Sequence, residues 1–132
     1  MPPRLFTLEQ ANEALGQVRP LAERMVERRR ALVEAMERQE ELAVRIGGNG
    51  GGLQPSDLAA AQEAIEREAA SDADAVERIH ALGAIVKDID SGLVDFPALR
   101  EGEEVLLCWR LGEDEIAWYH GHDDGFAGRR PL

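Results

Sequence analysis

The tail that starts at Trp118 reads Trp-Tyr-His-Gly-His-Asp-Asp-Gly-Phe-Ala-Gly-Arg-Arg-Pro-Leu and holds the densest set of side chains able to bind or react. His120 and His122 stand two apart, so on a continuing strand both imidazoles face one way. That spacing suits a metal ion, with Asp123 or Asp124 adding an oxygen ligand. A complete site takes three or four ligands, and the remainder would come from His80, Cys108 or a symmetry-related copy. The alternative is a hydrogen-bonded turn at the end of a strand. Glu113 and His120 are the candidates for acid and base work, because a carboxyl and an imidazole can be tuned to exchange protons near neutral pH. Cys108 would act as a nucleophile only beside an imidazole or cation that depresses its thiol pKa; within Val-Leu-Leu-Cys-Trp it also reads as a small buried hydrophobe. Arg129 follows Gly-Phe-Ala-Gly and could present a guanidinium fork to an anion, or clamp the tail to Asp95, Glu113 or Asp114. Cys108, Trp109 and Arg129 form the candidate ligand-binding set. Trp109, Trp118, Tyr119 and Phe126 either line a small pocket or make the core of a small sheet.

Strands must position these groups, and the sequence turns strand-like after Asp88. Lys87, Asp88, Asp90, Ser91 and Gly92 favour a turn, and the residues from Leu93 onward are β-prone. Pro97 cannot donate to a ladder, which permits at most an edge strand there. Val105 to Trp109 and Ile116 to His120 are two further runs, so a β-hairpin or small antiparallel sheet is expected over 93–120, with a loop over 121–132. Alternation puts Val105, Leu107 and Trp109 on one face and Leu106, Cys108 and Arg110 on the other.

The first two thirds of the chain is helical in pattern. Thr7 followed by Gln10 makes a capping box, and Leu8, Ala11, Leu15, Val18, Ala22, Met25, Leu32, Met36, Ala43 and Ile46 step by threes and fours, with Arg29 and Gln39 at the missing seam positions. A helix over 7–46 follows, kinked near Pro20, whose ring nitrogen cannot donate to the Gly16 carbonyl. Gly47 to Gly52, interrupted by Asn49, gives a loop over 47–55; it lacks the Gly-Lys-Ser/Thr that a phosphate-binding loop requires. Leu58, Ala61, Ile65, Ala69, Val76, Ile79, Gly83 and Val86 mark a second helix over 56–88 with one seam position skipped. The fold class expected is therefore α+β, mainly α: one domain over 1–132, built as a long antiparallel helical hairpin with a small C-terminal sheet.

The chain has 132 residues and a net charge of -11, which repels phosphate backbones and anionic bilayers, so neither nucleic acid nor membrane is an expected partner. Arg28, Arg29 and Arg30 lie within helical reach of Glu23, Glu27 and Glu34, and intrahelical pairing is expected to cancel them. Cys108 is the single cysteine, which excludes a disulfide-stapled domain, and the first residues carry no secretory pattern. A cytoplasmic setting is the expectation.

Phe6-Thr-Leu-Glu-Gln-Ala-Asn12, Arg19-Pro-Leu21, Gly92-Leu-Val-Asp-Phe96, Leu107-Cys-Trp-Arg-Leu-Gly-Glu113, Trp118-Tyr-His120 and Gly125-Phe-Ala-Gly-Arg-Arg-Pro-Leu132 occur in this order. Together they resemble a family of small prokaryotic proteins, the domain of unknown function 2203, over almost the whole chain. The resemblance implies a cytosolic bacterial or archaeal protein. It assigns no activity, cofactor or substrate, and so no role to Cys108, Trp109, Glu113, His120 or Arg129. The Gly47 to Gly52 stretch and His122 are outside the resembling pattern.

Two functions fit these residues. The first is a non-enzymatic, cytosolic interaction or scaffold module that self-associates, as a dimer in the simplest case, because a two-helix hairpin leaves residues such as Leu21, Val33, Leu42 and Leu82 to be covered. The second is a small metal- or anion-dependent enzyme whose site is built from the Cys-Trp, Gly-Glu, His and Gly-Arg segments of the C-terminal third. No complete catalytic set stands out, and no cofactor is specified.

Overall fold

The structure, a computed structural model, describes residues 4–48 and 52–132, so the part of the glycine run at 49–51 lies outside the described residues. The first helix, α1, spans Leu8–Gly47. Its start is fixed by the expected capping box: Gln10 N–H donates to Thr7 Oγ1 and Thr7 N–H donates to Gln10 Oε1, each at 3.0 Å. The helix continues through Pro20, whose missing N–H leaves only one carbonyl without a helical partner. The second helix, α2, spans Pro55–Ala81, with Pro55 in its first turn and Asp57 Oδ2 accepting from Gln54 N–H at 2.7 Å.

The polar residues on the two seams face each other. Gln39 Nε2 donates to Gln62 Oε1 at 2.6 Å, and Arg29 Nη1 lies 4.0 Å from Asp72 Oδ2, the residue that occupies the skipped seam position of α2. Asp72 is buried, and that burial raises its carboxyl pKa against the opposing pull of Arg29. The basic cluster therefore differs from the expected intrahelical pattern: Arg28 bonds Glu68 across the hairpin at 2.9 Å as well as its neighbour Glu27, and Arg29 reaches Asp72 and Asp90. The antiparallel partner offers carboxylates that the seam geometry brings closer than the positions three and four away on α1.

α2 ends at Ala81, short of the expected 88. Gly83 takes a φ of +94°, and Ile85–Asp88 is strand β1. The apolar stepping from Ile79 to Val86 fits a helix by count, but the left-handed backbone at Gly83 breaks it. The remaining strands are β2 (Leu93–Arg100), β3 (Glu103–Arg110), β4 (Trp118–His120) and β5 (Arg130–Pro131), giving one antiparallel sheet in the order β1-β2-β3-β4-β5. β5 falls within the segment expected to be loop. Pro97 lies in β2, an inner strand, which the edge-strand expectation did not foresee. Pairing with β1 stops at Asp95, however, and the Pro97 carbonyl turns to that open edge to accept from Phe6 N–H at 2.7 Å. The N–H and C=O of one strand residue share an edge, so the missing donor falls where no ladder partner needs it.

One face of the sheet covers the sheet-proximal half of the hairpin. Val94, Phe96 and Ala98 of β2 and Val105, Leu107 and Trp109 of β3 pack with Phe6, Leu15, Val18, Met25, Ala75 and Ile79. Burying each of the larger side chains contributes about 1.5–3 kcal/mol, against about 0–1 kcal/mol for an exposed ion pair, so this layer dominates stability. Leu21 and Leu82, expected to need a second chain, already pack against this core. Val33, Met36, Val44 and Ile46, toward the far end of α1, remain exposed. Among the described residues no helix is long and apolar enough to cross a membrane.

Two glycines test this account in opposite directions. A Cβ on Gly92, at φ +72°, would sit 2.8 Å from Leu111 Cβ and 3.1 Å from Val26 Cγ2. Gly92→Ala is expected to lower the unfolding free energy by about 1–3 kcal/mol. Inside α1, two turns from its start, nothing lies within 4 Å of a Cβ on Gly16, so Gly16→Ala should raise it by about 0.5–1 kcal/mol. Urea unfolding of both variants beside the parent chain checks the pair.

Candidate functional site

Strand register assembles the site on the sheet face turned away from the helices. β2 and β3 pair Asp95 with Cys108 and Pro97 with Leu106; β3 and β4 pair Cys108 with Trp118 and Leu106 with His120. With a period of two, Asp95, Pro97, Leu106, Cys108, Trp118 and His120 all share this face. Asp95 and His120 stand on the two strands that flank β3, one row apart, and their side chains meet beside Cys108. All three residues are buried.

The imidazole of His120 lies between two acceptors. Its Nδ1 is 2.7 Å from the Gly121 carbonyl, and its Nε2 is 3.2 Å from Oδ1 and 3.1 Å from Oδ2 of Asp95. A carbonyl can only accept, so Nδ1 carries a proton. One further proton is then needed between Nε2 and the carboxylate, and the pair shares it. Burial raises the Asp95 carboxyl pKa, while His120 and, more weakly, Lys87 pull it down. Burial, seconded by the Asp95 charge, pushes the Cys108 thiol from an ordinary 9.0 up to about 11, and Arg129 opposes that shift. Cys108 is therefore a neutral thiol at neutral pH, unsuited to nucleophilic attack in this arrangement.

Arg129 closes the cluster from the tail. Its Nη1 lies 4.0 Å from Cys108 Sγ, and its two Nη atoms bond Glu113 Oε1 and Oε2 at 3.2 and 2.9 Å, a bidentate fork. The guanidinium also lies over the rings of Trp118 and Phe126, at 4.7 and 4.2 Å from their centroids. Glu113 is held in turn: Arg110 N–H donates to Glu113 Oε1 at 2.7 Å, and Trp109 Nε1 donates to the Glu113 carbonyl at 3.0 Å. Arg19 of α1 donates to the carbonyls of Glu113 and Asp114, and Asn12 Oδ1 accepts from Ile116 N–H at 2.9 Å. The start of the long helix thus fixes the loop that orients Glu113, which fixes Arg129.

The structure brings Cys108, Glu113, His120 and Arg129 into one connected cluster. Trp109 stands apart on the helix-facing side, fully buried in the core, and touches the site only through its bond to Glu113. His122 also stands apart: β4 ends at His120, so the alternation that would align the two imidazoles is lost, and His122 Nε2 sits 3.5 Å from the exposed Glu104. His80 Nε2 accepts from Val86 N–H at 3.2 Å, away from the cluster. The residue that sequence reasoning passed over as a site member is Asp95, treated there only as a partner for arginine. A lone carboxylate inside Leu-Val-Asp-Phe-Pro, on the same face as Cys108, was the available signal. Asp95, Cys108 and His120 each offer one ligand atom, all within 4.8 Å of one another, and so could hold a metal ion.

The chain belongs to the family described as "Uncharacterized conserved protein (DUF2203)", whose model matches residues 4–132. No curated protein and no solved structure gives a significant match.

The protected thiol predicts an alkaline limit to stability. The folded chain keeps the Cys108 proton up to about pH 11, while the unfolded chain loses it near 9.0, so the folded state binds more protons in that interval and stability falls as pH rises through it. Two pK units correspond to about 2–3 kcal/mol. Urea unfolding between about pH 8 and 11, which spans the two titrations, should show this decline in the parent chain and a shallower one in Cys108→Ala.

Proposed function

We propose that this chain is a non-enzymatic, self-associating interaction module of the cytosol, and that two copies join through the outer half of the helical hairpin. The observation that carries this reading is the apolar surface left after the sheet has covered the inner half. Val33, Met36 and Val44 are 43, 53 and 68% exposed. Val33, Met36 and Ala43 of α1 and Leu58, Ala59 and Ile65 of α2 line a groove of about 840 Å³. A second copy is the occupant favoured by charge. The outer half of α1 carries Glu37, Glu40 and Glu41 together with Arg38 and Arg45, and Glu34 and Arg30 lie nearer the sheet. Antiparallel packing about an axis near Met36 brings Arg30 of each copy alongside the Glu40–Glu41 turn of the other and Arg38 alongside Glu34, whereas parallel packing stacks like charges. The product is a four-helix bundle.

A second reading, a small metal- or anion-dependent enzyme, draws on the convergence of Cys108, Glu113, His120 and Arg129. An anion that bound Arg129 would have to displace both Glu113 oxygens, and the thiol is protonated, so the arrangement as it stands supports binding more than turnover.

Sedimentation equilibrium should find a dimer at micromolar concentration. Met36→Glu places a charge on an already exposed position, so it should alter folding by no more than about 0.5 kcal/mol while shifting the particle to a monomer. In Met36→Cys, mild oxidation should link two chains through the introduced thiols, and Val44→Cys should link poorly. A monomeric parent chain would overturn the reading.

A further inference from the structure

We propose that Asp95, Cys108 and His120 form a binding site for a zinc-type divalent transition-metal ion, with a carboxylate oxygen, Sγ and Nε2 as its protein ligands. The site stands apart from the hairpin surface and needs no catalytic step.

Geometry is the first support. Three ligand atoms of different chemistry lie within 4.8 Å of one another on one sheet face. In a tetrahedral zinc site, bonds of about 2.0–2.1 Å to nitrogen and oxygen put those ligands about 3.3 Å apart. Nε2 and the two Asp95 oxygens are 3.1 and 3.2 Å apart. A thiolate, an imidazole and a carboxylate are the donor set that zinc accepts.

An independent observation also points to a ligand. Asp95 Oδ2 is buried and makes no well-formed hydrogen bond among the described residues, although His120 Nε2 at 3.1 Å and the Cys108 thiol both lie beside the carboxylate. The carboxylate is 1% exposed, so no bulk water serves it. Leaving such an acceptor unsatisfied is costly. The second ring nitrogen completes the pattern. Nδ1–H donates to the Gly121 carbonyl at 2.7 Å, which turns Nε2 toward Asp95, so that Nε2 offers its lone pair there once the shared proton leaves; metal-bound histidines are usually oriented by such a bond.

Charge also balances. The cluster without an ion holds the thiol proton and the proton shared by Asp95 and His120, and is neutral overall. A divalent ion replaces both protons, forming metal–sulfur, metal–oxygen and metal–nitrogen bonds, and two protons leave for solvent. The two anionic ligands then offset the two positive charges, so the buried face stays neutral in either state. Arg129, 4.0 Å from Sγ and paired with Glu113, stabilises the thiolate without adding net charge. Three protein ligands leave a fourth position for water or a further ligand.

The test uses the full chain purified without a histidine tag and stripped with chelator. Zinc titrated against a competing chelator should bind at one ion per chain, with two protons released as read by calorimetry in buffers of different ionisation enthalpy. Cobalt(II) should give tetrahedral visible bands and a thiolate-to-cobalt charge-transfer band in the near ultraviolet. Cys108→Ser, nearly isosteric, should keep the fold by circular dichroism, lose the charge-transfer band and bind zinc at least about 100-fold more weakly. Asp95→Asn should weaken binding in the same direction, and His122→Ala should leave affinity unchanged. Cobalt binding without the sulfur band, affinity that survives Cys108→Ser but falls in His122→Ala, or no binding by the parent chain would each overturn the proposal. The cobalt spectrum of the parent chain keeps the test decisive even where a buried variant fails to fold.

Discussion

The register between β2 and β3 is the constraint on which the rest of the molecule depends. Both strands are buried on both faces, with Val94, Phe96, Leu107 and Trp109 turned to the helices and Asp95, Leu106 and Cys108 turned away. A slip of one residue would exchange the sets, driving Asp95 into the helix contact and Trp109 toward the tail. An unpaired carboxylate in that apolar layer would cost several kcal/mol, about the size of a small domain's whole stability margin. The apolar face thus locks the register, and the locked register assembles the polar face.

The helices divide into two halves for a related reason. Near the sheet, Ala11, Leu15, Val18, Ala22 and Met25 are covered by strands and contribute through area alone. Beyond Arg29 and Asp72 the sheet no longer reaches, and the hairpin is joined by its own seam and by polar pairs such as Gln39 with Gln62. An ion pair between the buried Asp72 and the partly exposed Arg29 adds little net stability, because desolvation of the carboxylate offsets the attraction. Its geometric effect is larger: Asp72 finds its cation only when α1 and α2 are aligned at Arg29, so the pair discriminates against helices that slide past each other.

Much of this was legible before any coordinates. The capping box, both helix seams and the alternation of Leu107 with Cys108 all reflect local period and local chemistry, which residue types report directly. What escaped was long-range. The end of α2 was misplaced because Ile79, Gly83 and Val86 satisfy a helical count, and only the approach of Arg4 and Phe6 to Gly83 shows why the chain reverses there. Pro97 argued for an edge, and the rule held for its local hydrogen-bonding edge but not for the strand. His122 was drawn into a site by assuming that β4 ran on past Gly121. Asp95 was overlooked because its meaning comes from pairing with Cys108 and meeting His120 across β3, relations that span 13 and 25 positions and leave no local period.

Stability does not account for polar groups at 95, 108 and 120. The face they share also carries Pro97, Leu106 and Trp118, and apolar residues in their place would extend that layer without leaving an acceptor unsatisfied; such replacements of buried polar sets are often neutral or stabilising. Nor does the cluster serve to hold the tail, since Arg129 is anchored by Glu113 and by the Trp118 and Phe126 rings, with Cys108 only at the edge of reach. The elements that support the site are correspondingly elaborate: Arg19 and Asn12 of α1 orient the loop, the loop orients Glu113, and Glu113 orients Arg129 above the thiol. A chain of supports that runs from α1 to a guanidinium beside the buried thiol, carboxylate and imidazole has the form of a preorganised binding site.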